Sequence, residues 1–341
     1  MKTTRVGLDL AKDVFQVHGV GADEQVTVRK QLRRGKVLEF FARLDRAEGC
    51  VVGMESCCGA DYWARELEKF GYTVRIMNPA FVKPYVKSNK NDARDAEAIC
   101  EAVGRPTMRF VPVKTVEQHD MLLLHRQREQ WIKRRTALGN HIRGTLMQYG
   151  IVIGKRLATL RRELADRVSR EGAGLSVLAQ EVYRQDYEEL RELDARVAAL
   201  DAKLEGLARL DARCVLLMGI PGVGPITATA VVAQLGDASQ FLNGRQMAAY
   251  LGLVPGQRSS GGKETLTGIS KRGNRYLRTL MVHGARAAVR TAGRKSDRRS
   301  RWVQELGSRQ HANATSVALA NRNARTMWAL LRSGECYRAA A

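Results

Sequence analysis

Hydrophobic and polar positions alternate in the first thirty residues and then change period. The segments 5–10 (RVGLDL), 13–19 (DVFQVHG) and 25–30 (QVTVRK) predict three short strands separated by turn residues, arranged as an antiparallel meander. Over 36–47 the apolar residues Val37, Leu38, Phe40, Phe41 and Leu44 fall at helical spacing, and the apolar run CVVGM at 50–54 predicts the next strand. A second helix over about 60–70 and a strand at 73–77 (TVRIM) follow.

The resulting order, β-β-β-α-β-α-β, is that of a ribonuclease-H-like fold, a mixed sheet with helices packed on it. Strand signals fade over 114–210. There Leu190, Leu193, Val197, Leu200, Leu204 and Leu207 succeed each other at alternating spacings of three and four, the heptad seam of a coiled coil, with an ordinary intramolecular helical hairpin as the plainer reading. An earlier helix, over about 115–149, places Leu124, Trp131 and Leu138 seven apart and ends near Gly150. From 211 onward helices are expected at about 245–252, 273–291 and 314–332, around a polar, glycine-rich basic loop at 255–273. The chain therefore divides into 1–113, an α/β domain; 114–210, coiled-coil helices; and 211–341, a mostly helical domain.

Length and charge narrow the function. At 341 residues the chain holds more than one core, and 44% hydrophobic with 27% charged residues excludes a disordered chain. No apolar run reaches the 18–20 residues of a membrane helix, and Asp9 and Asp13 interrupt any signal-peptide core, so a cytoplasmic location is expected. The net charge is +22, and it is unevenly spread: residues 211–341 carry 20 basic and 6 acidic side chains. A face of that kind attracts nucleic acid through phosphate neutralisation and counterion release. The six cysteines form no CxxC pair and have no histidine at ligand spacing, which argues against a zinc ribbon.

Three constellations could carry chemistry. Asp9 lies within a strand, Glu55 closes the apolar strand CVVGM, and Asp92 and Asp95 sit three apart in NKNDARDAEAI, on one helix face. In a ribonuclease-H-like fold these four meet at one sheet edge, where carboxylates need cations to stay ionised together; two Mg²⁺ ions are the usual solution for phosphoryl transfer. Asp13, Asp61 and Glu97 are read as surface carboxylates. The second constellation, IPGVGPITA at 220–228, matches a helix-hairpin-helix in which Gly222 and Gly224 let the backbone approach phosphate; its plain reading is a helix–helix turn. In the third, Ser259 and Ser260 precede Gly261 and Gly262, with Arg258 and Lys263 flanking, and a hydroxyl there could attack a phosphodiester held by cations. Lys271, Arg272, Arg275 and Arg278 continue as a basic strip at helical spacing, a phosphate-contact face that the run from Arg294 to Trp302 extends.

The blocks GLDLAKD, GMES, NKNDARDAEAI, GIPGVG and GLVPGQRSSGGK followed by GISKRGNRYLR, in this order, resemble the DEDD transposases of insertion-sequence family 110, and its 1111 subgroup in the last block. The resemblance implies an N-terminal RuvC-like domain, a coiled-coil segment and a C-terminal transposase domain with a serine. It makes Asp9, Glu55, Asp92 and Asp95 the metal-binding set and Ser260 the catalytic serine, with Ser259 one register away. It also implies an RNA-guided site-specific recombinase: a noncoding bridge-type RNA pairing with donor and target DNA, a covalent phosphoserine intermediate, Mg²⁺ at the carboxylates, and homodimers assembling into a tetrameric synapse. Two other readings remain open at this point, a RuvC-type junction-resolving endonuclease that uses water and a non-catalytic nucleic-acid-binding protein.

Overall fold

The computed structural model describes residues 1–87, 92–169 and 174–338, which form two compact units, 1–115 and 116–341. The first is built on a six-stranded mixed sheet of β1 (Thr3–Asp9), β2 (Val14–Val20), β3 (Val26–Arg33), β4 (Arg46–Glu55), β5 (Thr73–Met77) and β6 (Phe110–Val111). In space the strands run β3-β2-β1-β4-β5-β6. β1, β2 and β3 form the expected antiparallel meander, while β4 lies parallel to both β1 and β5. Alternation decides which side chains go to which face. Val6, Leu8, Val52, Met54 and Ile76 point to the side covered by α1 (Val37–Arg43) and α2 (Ala60–Lys69), in a core with Phe15, Phe41 and Trp63. The other side takes α4 (Asp92–Val103), whose Ile99, Ala102 and Val103 pack with Met77 and Val82; Val82 closes the short α3 (Pro79–Val82).

The second unit is helical apart from one hairpin. Its helices are α5 (Val116–Leu146), α6 (Leu157–Ser169), α7 (Val177–Leu210), α8 (Ala212–Met218), α9 (Pro225–Leu235), α10 (Gly244–Tyr250), α11 (Arg275–Thr291), α12 (Arg298–Arg309) and α13 (Ala312–Ser333). α5 and α7 are antiparallel, as their ion pairs show: Arg128 meets Asp201, and seven residues further along α5, Arg135 meets Asp194, seven residues back along α7. Arg161 from α6 bonds the same Asp194. Leu190, Leu193, Val197 and Leu204 of the heptad seam are buried within the unit, against α5, α6 and α9. α9 is apolar nearly all round, with eight of its eleven residues buried, and forms the centre of the larger core.

Several elements of the structure are not predicted from the sequence, the short β6 and α3 among them. Residues 255–269, read as a loop, form a hairpin of β7 (Pro255–Ser260) and β8 (Lys263–Ile269). No residue of either strand is buried, so no hydrophobic alternation exists to betray them. α6 and α12 were not anticipated, the latter because its sequence RRSRWVQELGSR reads first as a basic run.

Candidate active site

The carboxylate site follows from strand register. Gly7 pairs with Gly53 and Leu8 with Met54, so Asp9 and Glu55 lie one step further on, side by side at the carboxyl ends of two adjacent parallel strands. By alternation both share the face of Gly7 and Gly53. Those glycines admit α4: a Cβ on Gly7 would stand 2.1 Å from the Ala96 carbonyl oxygen and 2.4 Å from the Cys100 nitrogen, and one on Gly53 would stand 2.8 Å from Val103 Cβ. Gly104, just past the end of α4, packs on Arg5, while Ala96 and Cys100 pack on Gly7. The helix thus runs antiparallel to β1, and its first turns, with half-buried Asp95, extend toward Asp9 and Glu55.

One thiol just past β4 feels the charge of both strand-end carboxylates. Cys57 is pushed up to about 11 by desolvation first, then by the charges of Asp9, Cys58 and Glu55, so both carboxylates act on a single point. Asp92 opens α4, but its side chain lies outside the described residues. Among the described residues no group of three or more His, Cys, Asp or Glu side chains is arranged to hold a metal ion. The donors that do converge are carboxylate oxygens, the chemistry of a hard divalent cation, and in that respect they fit Mg²⁺. Asp61 accepts the Lys114 backbone N–H at 2.8 Å and faces its ammonium at 3.8 Å, and Glu97 pairs with Lys87 at 3.3 Å. His18, which sequence reading passed over inside the strand VFQVHGV, is buried opposite Gly7; desolvation lowers its pKa, partly opposed by Glu97.

The hairpin of the second unit turns through Gly261 and Gly262, both left-handed at φ 56° and 77°, the two-residue connection that matches strand twist. Ser260 pairs with Lys263, Ser259 with Glu264, Arg258 with Thr265 and Gln257 with Leu266. Opposed residues share a face and neighbours alternate. One face therefore carries Arg258, Ser260, Lys263 and Thr265, and the reverse carries Gln257, Ser259, Glu264 and Leu266. The Gln257 amide donates to Ser259 Oγ at 2.9 Å. The base of the hairpin is pinched by Gly252 and Gly273: a Cβ on Gly273 would stand 1.8 Å from the Tyr250 carbonyl oxygen.

The other basic and glycine positions divide by use. Lys271, Arg272 and Arg275 are exposed. Arg278 is half-buried and donates to the carbonyls of Leu251 and Arg272 at 3.2 and 3.1 Å, so it ties α11 to the hairpin base. Gly222 (φ 89°) occupies the α8–α9 turn, and a Cβ there would meet the Gly284 carbonyl oxygen of α11 at 2.6 Å; the missing side chain serves packing. Gly224 caps α9 in extended conformation with open space around it. Arg299, within the basic run, is turned inward, donating to the Pro221 carbonyl and the Tyr337 hydroxyl at 3.2 Å and to Asn323.

A buried histidine that the sequence did not single out anchors α11. The Thr229 hydroxyl gives its one proton to the Pro225 carbonyl at 2.7 Å, so it accepts from His125 Nε2 at 3.0 Å. The ring's Nδ1 is then the acceptor for the Tyr276 hydroxyl at 3.0 Å. Burial first, and then Arg128, pushes His125 down to about 4.

Paired carboxylates at the carboxyl ends of two adjacent strands, in a chain of net charge +22, suit a protein of the nucleic-acid-processing class. The comparisons with known proteins carry this to a family. A model described as "Transposase", of the IS110 DEDD type, matches residues 6–151, and one described as "Transposase IS116/IS110/IS902 family" matches 214–301. A probable family 20 transposase of Pseudomonas aeruginosa is 51% identical over 339 residues, covering 99% of both chains. The transposase for insertion sequence element IS1111A of Coxiella burnetii is 44% identical, over 100% of this chain and 93% of its own. That for IS1328 of Yersinia enterocolitica is 36% identical over 98% of both. The chain belongs to the IS116/IS110/IS902 family of insertion-sequence transposases, enzymes that cleave DNA and transfer its strands. No helix among the described residues is long and apolar enough to cross a membrane.

Proposed function

We propose that the chain is an RNA-guided, Mg²⁺-dependent, site-specific recombinase in which Ser260 attacks DNA and forms a covalent phosphoserine. The observation that carries the serine is its place: Ser260 is exposed beside the glycine turn at the tip of a hairpin that contributes nothing to a core. Ser259, one residue back, faces the other way, opposite Glu264 and bonded by Gln257, so Ser260 is the better nucleophile of the two. In the step itself a bond forms between Oγ and phosphorus while one phosphorus–oxygen bond to deoxyribose breaks. The hydroxyl proton passes to water and the leaving oxygen takes one up, so the phosphodiester's bond energy is kept for rejoining.

Asp9, Glu55, Asp92 and Asp95 would hold Mg²⁺, which when bound offsets charge on the phosphoryl oxygens. The sheet order, with α4 lying over β1 and β4, favours reading the first unit as RuvC-like, of the ribonuclease-H type. We read residues 1–113, 114–210 and 211–341 as its RuvC-like, coiled-coil and transposase segments, the last holding a helix-hairpin-helix around Gly222 and Gly224. Lys271, Arg272 and Arg275 offer exposed cations to DNA. Guidance by a bridge-type RNA rests on the sequence resemblance and the +22 charge. Assembly of dimers into a tetramer is favoured by exposed Val152, Val177 and Leu178 at one end of the α5–α7 pair.

The test is a denaturing gel of end-labelled DNA carrying the element's junction and target, incubated with protein, flanking-region RNA and Mg²⁺. A slow protein-linked band that requires RNA and Mg²⁺ and vanishes in Ser260→Ala is expected. Free cleaved ends, unchanged in Ser260→Ala, would replace the serine with water as nucleophile.

A further inference from the structure

We infer that Arg258 and Lys263 hold the scissile phosphodiester on Ser260 and neutralise its charge, an inference that rests on Ser260 being the attacking group. Cross-strand pairing sets Lys263 directly opposite Ser260, where Cβ atoms are about 4.5–5.5 Å apart. Arg258 lies two residues back on the same face, roughly 6.6 Å along the strand. All three side chains are exposed, and the arginine and lysine stems are longer than the serine's, long enough for both cations to meet a phosphate seated on the hydroxyl. The reverse face offers the opposite environment, with Glu264 beside Ser259 and Leu266 beside Gln257. A phosphate is thus attracted to one face of the ribbon and repelled from the other.

The ribbon is also free to act as a tool on a rigid handle. Its strands bury no residue, while its base is fixed by the Gly252 and Gly273 close approaches and by Arg278. As Ser260 Oγ bonds to phosphorus and the deoxyribose oxygen departs, negative charge grows on the two non-bridging oxygens, and the two cations offset that growth. If they served only to bring DNA close, their removal would weaken affinity and its salt dependence while leaving the rate on bound DNA intact.

The experiment measures the single-turnover rate of serine–DNA adduct formation at saturating DNA, with the full chain, flanking-region RNA and Mg²⁺. Arg258→Ala, Lys263→Ala and the reverse-face variant Glu264→Gln are compared on ordinary DNA and on DNA with one neutral methylphosphonate at the scissile linkage. Each cation variant is expected to be about 100-fold slower on ordinary DNA, with Glu264→Gln unchanged. On the methylphosphonate, which carries no charge to neutralise, the deficit should disappear. An equal deficit on both DNAs, or a change in affinity alone, overturns the inference while leaving Ser260 in place. If the wild-type chain forms no adduct at Ser260, the nucleophile assignment and this inference fall together.

Discussion

Gly7→Ala isolates the contact that positions the carboxylates. The new Cβ would stand 2.1 Å from the Ala96 carbonyl oxygen, and ordinary contact begins at 3.4 Å, so α4 must withdraw from β1 by about 1.3 Å, the difference of the two. Neither neighbour can yield alone, because the obstacles are backbone atoms of a helix. Overpacking of this kind costs about 1–3 kcal/mol, which for a unit of this size lowers the melting temperature by roughly 4–12 °C. With Asp9 and Asp95 in the proposed metal site, the catalytic consequence is larger than the thermodynamic one. α4 carries Asp95, while Asp9 stays with the strand, and a displacement of about 1 Å within a reacting constellation costs on the order of 100-fold in rate. Thermal unfolding by circular dichroism and a DNA cleavage assay read the two effects separately, with Gly35→Ala as control because nothing lies within 4 Å of a Cβ there. DNA affinity should be unchanged. Wild-type melting together with wild-type cleavage in Gly7→Ala would refute the close packing of α4 on β1.

Three further outcomes are expected. His125 has a folded pKa of about 4 against 6.5 for an ordinary histidine, so the unfolded chain binds the extra proton between those values and stability falls as pH drops through that window. The loss should reach about 2 kcal/mol by pH 5, seen as a lower urea midpoint, and His125→Gln should flatten the profile; an unaltered profile would assign the loss to other groups. Arg299→Met leaves the Tyr337 hydroxyl and Asn323 without their buried partner and should cost about 2–3 kcal/mol by urea unfolding, with Arg299→Lys giving little rescue because an ammonium lacks the planar fork. Asp9→Asn, and separately chelation of divalent cations, should abolish cleavage while gel-shift affinity for DNA persists; cleavage by Asp9→Asn at the wild-type rate would remove Asp9 from the site.

How legible each part was depends on whether its side chains meet a core. The sheet was readable because β1, β2, β4 and β5 each bury alternating side chains, and the predicted strand at 73–77 coincides with β5. Asp9 stood out as a charge between apolar neighbours inside a predicted strand and Glu55 as one closing an apolar run; Asp9 in fact ends β1, and strand register places the two together. The hairpin could not be seen this way, since polar residues occupy both its faces. Its signal was the Gly261–Gly262 pair alone, which a flexible linker would share. His125 was hidden for the converse reason: on a long helix one histidine among leucines carries no pattern, and only the fold brings Thr229 and Tyr276 to its two nitrogens. α7 shows a third case, where the heptad period is real but its seam is satisfied by helices of the same unit.

The same distinction applies to the charge that first pointed to nucleic acid. A count of arginines treats every guanidinium as available to phosphate, yet Arg128, Arg135 and Arg161 are committed to Asp201 and Asp194 in joining the long helices. Arg278 and Arg299 are occupied by backbone carbonyls, and Arg322 lies 4.9 Å over Trp302. What remains exposed in the hairpin region is a smaller set, Arg258, Lys263, Lys271, Arg272 and Arg275, all within eighteen residues of chain around Ser260. Phosphate contacts that act only through affinity can be spread over a surface, because each released counterion contributes wherever it lay. Contacts that act on a reacting phosphate must sit beside the attacking atom. Of the exposed cations only Arg258 and Lys263 share the serine's face of the ribbon, so neutralising Lys271, Arg272 or Arg275 should reduce the salt slope of DNA binding by about one each and leave the rate on bound DNA unchanged. A rate loss from those three equal to that from Arg258→Ala would mean that face and register do not select the cations that matter.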